Sequence, residues 1–288
     1  MDSRRLALIV AMIGLIGISH SVIFIRLAGD APALFLAVMR VGVATLVFAP
    51  FAWRAWGGGL TGRQIGLSVA AGLFLALHFA VWIESVQRLT IAESALLVSL
   101  APIWVIFLEF ALFGRRPSRA HLLSAGLCLG GVALIGFDGL TNPQGDPLGL
   151  LLALIGGIAA AGYFMAGKTV REDVPTSLYV TICYGVAALA LGIGFAGTGP
   201  DQDAITQTAW MAAIALGLAG QVVGHSSYNF AMGRLSPVFV AICLLGEPVV
   251  GTLLGLAYLG EAVPTATLVG GIPIMIGLWI AVRAEMRG

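Results

Sequence analysis

From Leu6 to Ile25 the chain runs for 20 residues without a formal charge. As a helix rising about 1.5 Å per residue, such a run reaches about 30 Å, the thickness of a bilayer's hydrocarbon core. It is too long for the apolar stretch of a cleaved signal, so it is expected to persist as a first membrane-spanning helix. Charges and turn residues cut the remainder into nine further runs of the same kind. The predicted spans are 6–26, 33–53, 64–86, 92–113, 119–137, 147–168, 175–196, 208–232, 236–258 and 264–283. They lack the period-two alternation of membrane barrel strands and are about twice too long for them. The expected fold is all-α and integral to the membrane, with ten transmembrane helices. Composition agrees: 59% of the 288 residues are hydrophobic and 10% are charged, against roughly 25% charged in a soluble domain. Lipid has to be the solvent for most of the surface.

The few charges predict an orientation. With the N-terminus in the cytoplasm, twelve of the fifteen Lys and Arg fall in cytoplasmic segments. Arg26 and Arg88 fall in outer segments, and Arg40 lies within the second span. That bias is the positive-inside pattern, and an even helix count puts both termini in the cytoplasm. The scattered basic residues and a net charge of +1 do not make the basic face of a nucleic-acid binder. Cys128, Cys183 and Cys243 sit inside apolar runs with no paired spacing, so they read as core residues rather than disulfides or a zinc site. No HExxH, Walker A or DxxxD pattern lies in a span, so neither a metal nor another cofactor is expected, and an intramembrane enzyme is disfavoured. The partners this composition implies are the lipid bilayer and a small-molecule substrate.

The chain also repeats itself. A shift of 146 positions lays Arg88-Leu89-Thr90 on Arg234-Leu235-Ser236, Trp82 on Tyr228, Pro102 on Pro248, Gly114 on Gly260 and Gly131 on Gly277. Two five-helix halves follow, 1–140 and 147–288. Five is odd, so the second half crosses in the opposite sense. The basic Gly114-Arg115-Arg116-Pro117-Ser118-Arg119 loop and its acidic counterpart Gly260-Glu261-Ala262-Val263-Pro264 agree with opposite sides. Inverted repeats are characteristic of carriers, because exchanging the two halves' conformations converts an outward-open state into an inward-open one.

Polar groups inside spans are expensive and need a reason. Pro102 and Pro248 lie near mid-span at matched positions and are read as breaks or hinges, since each removes a helix hydrogen bond. Gln221, His225, Tyr228 and Met232 follow a helical spacing, as do His78, Trp82 and Ser85. With the repeat superposing Trp82 on Tyr228, the two stripes are expected to face each other across an aromatic substrate pocket. The substrate-binding candidates are His78, Trp82, Ser99, Gln221, His225 and Tyr228. Glu84, Glu93, Glu109 and Glu247 lie in spans. Glu247, beside Pro248, is the candidate for proton coupling, with a packing role as its alternative. Arg40 could pair with an acidic substrate, with Glu247, or within a structural salt bridge. Gly126/Gly130, Gly220/Gly224 and Gly251/Gly255 have the spacing of close helix packing.

Several of these features come together in one resemblance. Asp30-Ala31-Pro32 leads to Arg40, Ser99-Leu100-Ala101-Pro102 sits in the fourth span, and Leu245-Gly246-Glu247-Pro248 is followed by Leu259-Gly260-Glu261. The chain thereby resembles, over essentially its whole length, the paired EamA repeats of the drug/metabolite transporter superfamily. Gly114-Arg115 departs from the Gly-Glu usual at that place in the repeat. The resemblance implies a ten-helix carrier in a bacterial inner membrane. Within the superfamily it is most similar to YddG-type exporters, which implies export of aromatic or hydrophobic amino acids by alternating access. A multidrug or other small-metabolite carrier of the same superfamily is the alternative, with Glu247 as its essential carboxylate.

Overall fold

The computed structural model describes residues 2–57, 59–89, 91–136, 146–199, 203–260 and 262–287. Among them the regular structure is helical throughout: α1 (Ser3–Leu27), α2 (Ala33–Ala55), α3 (Gly62–Arg88), α4 (Ile91–Val98), α5 (Ala101–Phe113), α6 (Arg119–Ile135), α7 (Pro147–Arg171), α8 (Thr176–Gly197), α9 (Gln207–Ala215), a π-helical segment (Leu216–His225), α10 (Ser226–Met232), α11 (Pro237–Leu244), α12 (Glu247–Leu259) and α13 (Thr265–Arg287). Joined across their breaks, these make ten crossings. Nine are long and apolar enough to span a bilayer, and α6 is a shorter apolar helix of 17 residues. Glu261 and the stretch Pro200-Asp201-Gln202 lie outside the described residues, as does the side chain of Glu93.

Local signals start and stop these helices. Thr61 and Gln64 form a reciprocal capping box at the start of α3, with bonds of 3.2 and 2.9 Å. Ser118, Thr206 and Ser236 each accept a first-turn N–H of the helix they precede. Asp146 caps α7 through the Leu148 N–H at 3.0 Å and takes Arg88 Nη1 at 2.8 Å. These two donors hold its carboxyl below the usual carboxylate range, the backbone bond most of all. At the other end of the scale, α5 and α12 both stop at a glycine in the left-handed region, Gly114 at φ 64° and Gly260 at φ 67°, a conformation that residues with a Cβ adopt at a cost. These two glycines stand 146 positions apart.

The packing obeys the two-fold relation that the repeat implies. The third crossing lies on the sixth (α3 on α7), and its counterpart, the eighth crossing, lies on the first (the π segment and α10 on α1). The second packs on the seventh (α2 on α8) and the fifth on the tenth (α6 on α13). Outward faces carry exposed apolar side chains such as Leu46, Leu189 and Ile193, and Trp53, Trp56, Trp210 and Trp279 are exposed near helix ends, as a lipid-facing surface with an aromatic belt requires.

Spacing misleads in two places. The Gly126/Gly130 pair faces open space, whereas Gly131 is the close contact: a Cβ there would lie 2.3 Å from the Gly270 carbonyl oxygen. The phase of a packed face depends on where the partner helix crosses, and α13 crosses α6 one residue further on. Gly220 and Gly224, by contrast, do meet neighbours, Ser21 and Ile18 of α1. The eighth crossing is also not a continuous α-helix. Its middle is π-helical, with i→i+5 bonding, so the α-helical i, i+4, i+7 spacing expected of Gln221, His225 and Tyr228 does not hold along it.

The two ends of the bundle differ. At the end bearing both termini, Glu285 of α13 accepts from Ser236 N at 2.7 Å and Ser236 Oγ at 3.1 Å, and lies 3.3 Å from His121 and 3.8 Å from Arg4. One carboxylate thereby ties together α1, α6, α11 and α13. Lys168 Nζ donates to the Met232 and Leu235 carbonyls at 3.1 and 3.4 Å. The far end is hollowed among the described residues. A basin of about 760 Å³ lies there, lined by Arg26, Asp30, Glu84 and Gln87 among others.

Candidate functional site

The two mid-membrane breaks define the site. Ser99 and Leu100 separate α4 from α5, and Leu245 and Gly246 separate α11 from α12. The breaks are 146 positions apart. Each is closed by short-range bonds: Leu100 N–H to Leu97 O at 3.2 Å, and Leu245 N–H to Ile242 O at 3.0 Å. Pro102 and Pro248 fall in the first turn of the second half-helix, where a missing N–H leaves no bond unmade. Sequence placed the breaks through these prolines, and the chain breaks two to three residues before each.

A cavity of about 350 Å³ descends from the far end between Val22, Ile23, Arg26, Val132, Ile135 and Thr267. A small chamber of about 50 Å³ lies beneath it, lined by Arg40, His78, Tyr163, His225, Ala101 and Pro102 among others. Trp82, Val98, Ser99 and Glu247 line both, so these four form the throat between outer cavity and inner chamber.

The inner chamber is an aromatic box around a buried cation. Arg40 is fully buried. Its Nε donates to Gln221 Oε1 at 2.9 Å and its Nη2 to the Gly220 carbonyl at 3.3 Å. Its guanidinium carbon lies 4.2 Å from the Phe79 ring centroid and 5.7 Å from that of Trp82, contacts worth about 2 kcal/mol when desolvated. Among the described residues no salt bridge engages it, the Glu247 carboxyl acts on it through space, and Nη1 is buried without a hydrogen-bond partner. His78 donates from Nδ1 to the Gly156 carbonyl at 2.9 Å and stacks on Trp82, with centroids 5.9 Å apart and planes 6° apart. His225 lies 6.5 Å from His78, and its Nδ1 also lacks a partner.

The structure therefore brings His78, Trp82, Ser99, His225 and Glu247 to one place. It sets Gln221 behind Arg40, as the residue that orients the guanidinium rather than as a wall of the chamber. Tyr228 is fully buried and lines neither space. It packs toward α1, where a Cβ on Gly14 would lie 3.5 Å from its ring. The π segment causes both outcomes, because its wider turn changes the phase between Gln221 and Tyr228. Glu84 pairs with Arg88 at 2.7 Å near the end of α3. Glu109 is buried in α5, below the break.

Sequence reading passed over Tyr163 and the network behind it. Tyr163 donates to Asn229 Oδ1 at 2.8 Å, Asn229 Nδ2 donates to Tyr184 at 2.8 Å, Tyr184 meets Ser226 at 3.1 Å, and Ser226 donates to the Gln221 carbonyl at 3.0 Å. Asn229 inside an apolar span was the available signal, since a polar side chain there needs a partner.

A ten-crossing bundle with two matched helix breaks and a cavity reaching them from one end has the architecture of a membrane transporter. The EamA-like transporter family matches residues 5–137 and again 147–283, and the chain belongs to that family. It is 27% identical over 263 residues to an uncharacterized transporter of Archaeoglobus fulgidus, covering 91% of this chain and 90% of that one. It is 24% identical over 259 residues to the biotin transporter of Escherichia coli K12, covering 88% and 85%. A probable terminal-alkyne amino-acid exporter of Streptantibioticus cattleyicolor is 27% identical over 202 residues, covering 67% and 64%. A solved crystal structure superposes with a TM-score of 0.80 over 98% of both chains at 18% identity, a likeness of fold.

Proposed function

We propose that the protein is a secondary carrier that exports amino acids with apolar or aromatic side chains by alternating access, binding them where the outer cavity meets the inner chamber. The observation that carries this reading is the junction itself: both helix breaks contribute to the walls of the cavity and of the chamber beneath it. Its outer part, lined by Val22, Ile23, Val132 and Ile135, suits an apolar side chain, and its throat offers Trp82, Ser99 and Glu247. A volume of about 350 Å³ falls within the usual range for small-molecule sites. Two similar proteins are named for biotin and for an amino acid, and both solutes carry a carboxylate beside an apolar body. With the termini in the cytoplasm of a bacterial inner membrane, as the basic residues suggest, the cavity opens outward and the Glu285 cluster closes the inside.

Two labelling experiments test this. The three native cysteines are buried, so background labelling is low. Cysteines replacing the exposed Ser118 and Ala262 are expected to react with an impermeant thiol reagent from opposite sides of intact cells, Ala262→Cys from outside. Reaction of both from one side would refute the inverted orientation. Ser99→Cys is expected to react from the outer side and to be protected by a transported amino acid. Absence of protection by every amino acid tested would move the site elsewhere.

A further inference from the structure

We propose, resting on the reading just given, that the site recognises the zwitterion itself: Arg40 takes the substrate's carboxylate in the inner chamber, and Glu247 takes its ammonium group at the throat. The two repeats supply the same scaffold at each break and different chemistry on it. Ala101 opens α5 and Glu247 opens α12, at matched positions. The first turn of α5 has no side-chain cap and no acidic residue. Ala101 and Pro102 line the inner chamber, so this helix presents its positive end there. Arg40 lines the same chamber and adds a full positive charge.

The guanidinium is held in a way that leaves one arm spare. Gln221 takes Nε, the Gly220 carbonyl takes Nη2, and the Phe79 ring covers one face. Nη1 is buried with no partner. A cation buried within a membrane protein almost always pairs with an acid or with backbone carbonyls. Arg40 has one carbonyl, one amide and the through-space attraction of Glu247, but no ion pair in contact with it among the described residues. A chamber of about 50 Å³ holds a group of a few atoms, not a whole solute, since one water needs about 10–15 Å³ by a comparable measure. A carboxylate has room in that space beside the guanidinium, which binds such groups through paired N–H donors.

Glu247 lines both spaces, so it stands one step further out along the same path. At the first position of its helix its negative charge offsets the positive end of α12; Arg40 attracts it through space, and among the described residues no salt bridge engages it. A carboxylate at the throat and a guanidinium below it match the order of charges on an amino acid that enters carboxylate first. The side chain then remains in the outer cavity, against Val132 and Ile135. Of this pair of charges, a monocarboxylate without the amine uses Arg40 alone, and an amine without the carboxylate uses Glu247 alone.

The test uses purified full-length protein with the Ser99→Cys reporter and matched compounds. One set is phenylalanine, 3-phenylpropionate and phenethylamine; the other is leucine, 4-methylpentanoate and isoamylamine. The zwitterion of each set is expected to protect Ser99→Cys at a concentration about tenfold to a hundredfold below either single-charge analogue, as befits one lost charge-assisted contact. Arg40→Gln is expected to bring phenylalanine and phenethylamine to equal potency, and Glu247→Gln to do so for phenylalanine and 3-phenylpropionate. If Arg40→Gln fails to fold, Arg40→Lys, which keeps the charge, is expected to preserve the ranking at lower affinity. Equal protection by all three members of a set, or variants that weaken all three alike, would overturn the zwitterion reading and leave the position of the site intact. No protection by any compound would instead overturn the position of the site.

Discussion

Gly131→Ala and Gly270→Ala are each expected to prevent stable assembly of the bundle. A Cβ at Gly131 would stand 2.3 Å from the Gly270 carbonyl oxygen and 2.6 Å from Ile274 Cγ1; one at Gly270 would stand 2.4 Å from the Gly131 carbonyl oxygen. Both first obstacles are backbone, so no side-chain rotation relieves them. The fifth and tenth crossings would have to separate, at a cost of about 3 kcal/mol. The loss should appear as a lower thermal midpoint and a smaller monodisperse peak in detergent. Gly126→Ala and Gly130→Ala, whose added carbon meets nothing within 4 Å, serve as controls and are expected to match the parent. A parent-like Gly131→Ala would refute the α6–α13 contact.

Trp82→Ala is expected to cut transport of ring-bearing substrates about tenfold, through loss of stacking and of the throat wall. Its effect on threonine and other small amino acids should be less. Trp82 lines both spaces, stacks on His78 and lies over the Arg40 guanidinium, so the substitution widens the passage and loosens the cation beneath it. Tyr228→Phe is the informative contrast. Tyr228 is fully buried away from both spaces and its hydroxyl has no hydrogen-bond partner, so its removal is expected to leave the substrate ranking unchanged. Radiolabelled exchange in proteoliposomes, normalised to protein abundance, reads both. A uniform fall for all substrates in Trp82→Ala would make that ring a packing residue.

The bilayer made much of this fold readable in the chain. A charge-free run such as Leu6–Ile25 has few alternatives in lipid, and a proline in mid-span cannot donate its bond, so Pro102 and Pro248 announced the breaks. What escaped was decided by neighbours. Nothing in Leu216–His225 announces a π-helix. Its glycines let the turn press against Ile18, Ser21 and Arg40, contacts that lie about 180 to 206 residues away along the chain. The changed phase turned Gln221 from a wall into a brace and removed Tyr228 from the site. Arg40 was visible as a lone cation in a span, but its spare arm depends on which atoms Gln221 and Gly220 occupy. Tyr163 was one aromatic among many until Asn229 came into contact with it.

Alternating access, as proposed here, has the halves of this bundle exchange shapes, but it cannot have them exchange side chains. Ala101 and Glu247 occupy matched positions at the two breaks, so an outward-open and an inward-open form related by the two-fold would still offer a solute different surroundings. Such states need not be equal in free energy, and the resting carrier then has a preferred side. That preference sets how fast each half of the cycle runs and how tightly each face binds. By detailed balance it sets no net direction: with no gradient to draw on, forward and backward fluxes through even a lopsided site cancel. Asymmetry written into Ala101 and Glu247 therefore belongs to the kinetics of the carrier, and the direction of net transport belongs to the gradients across the membrane.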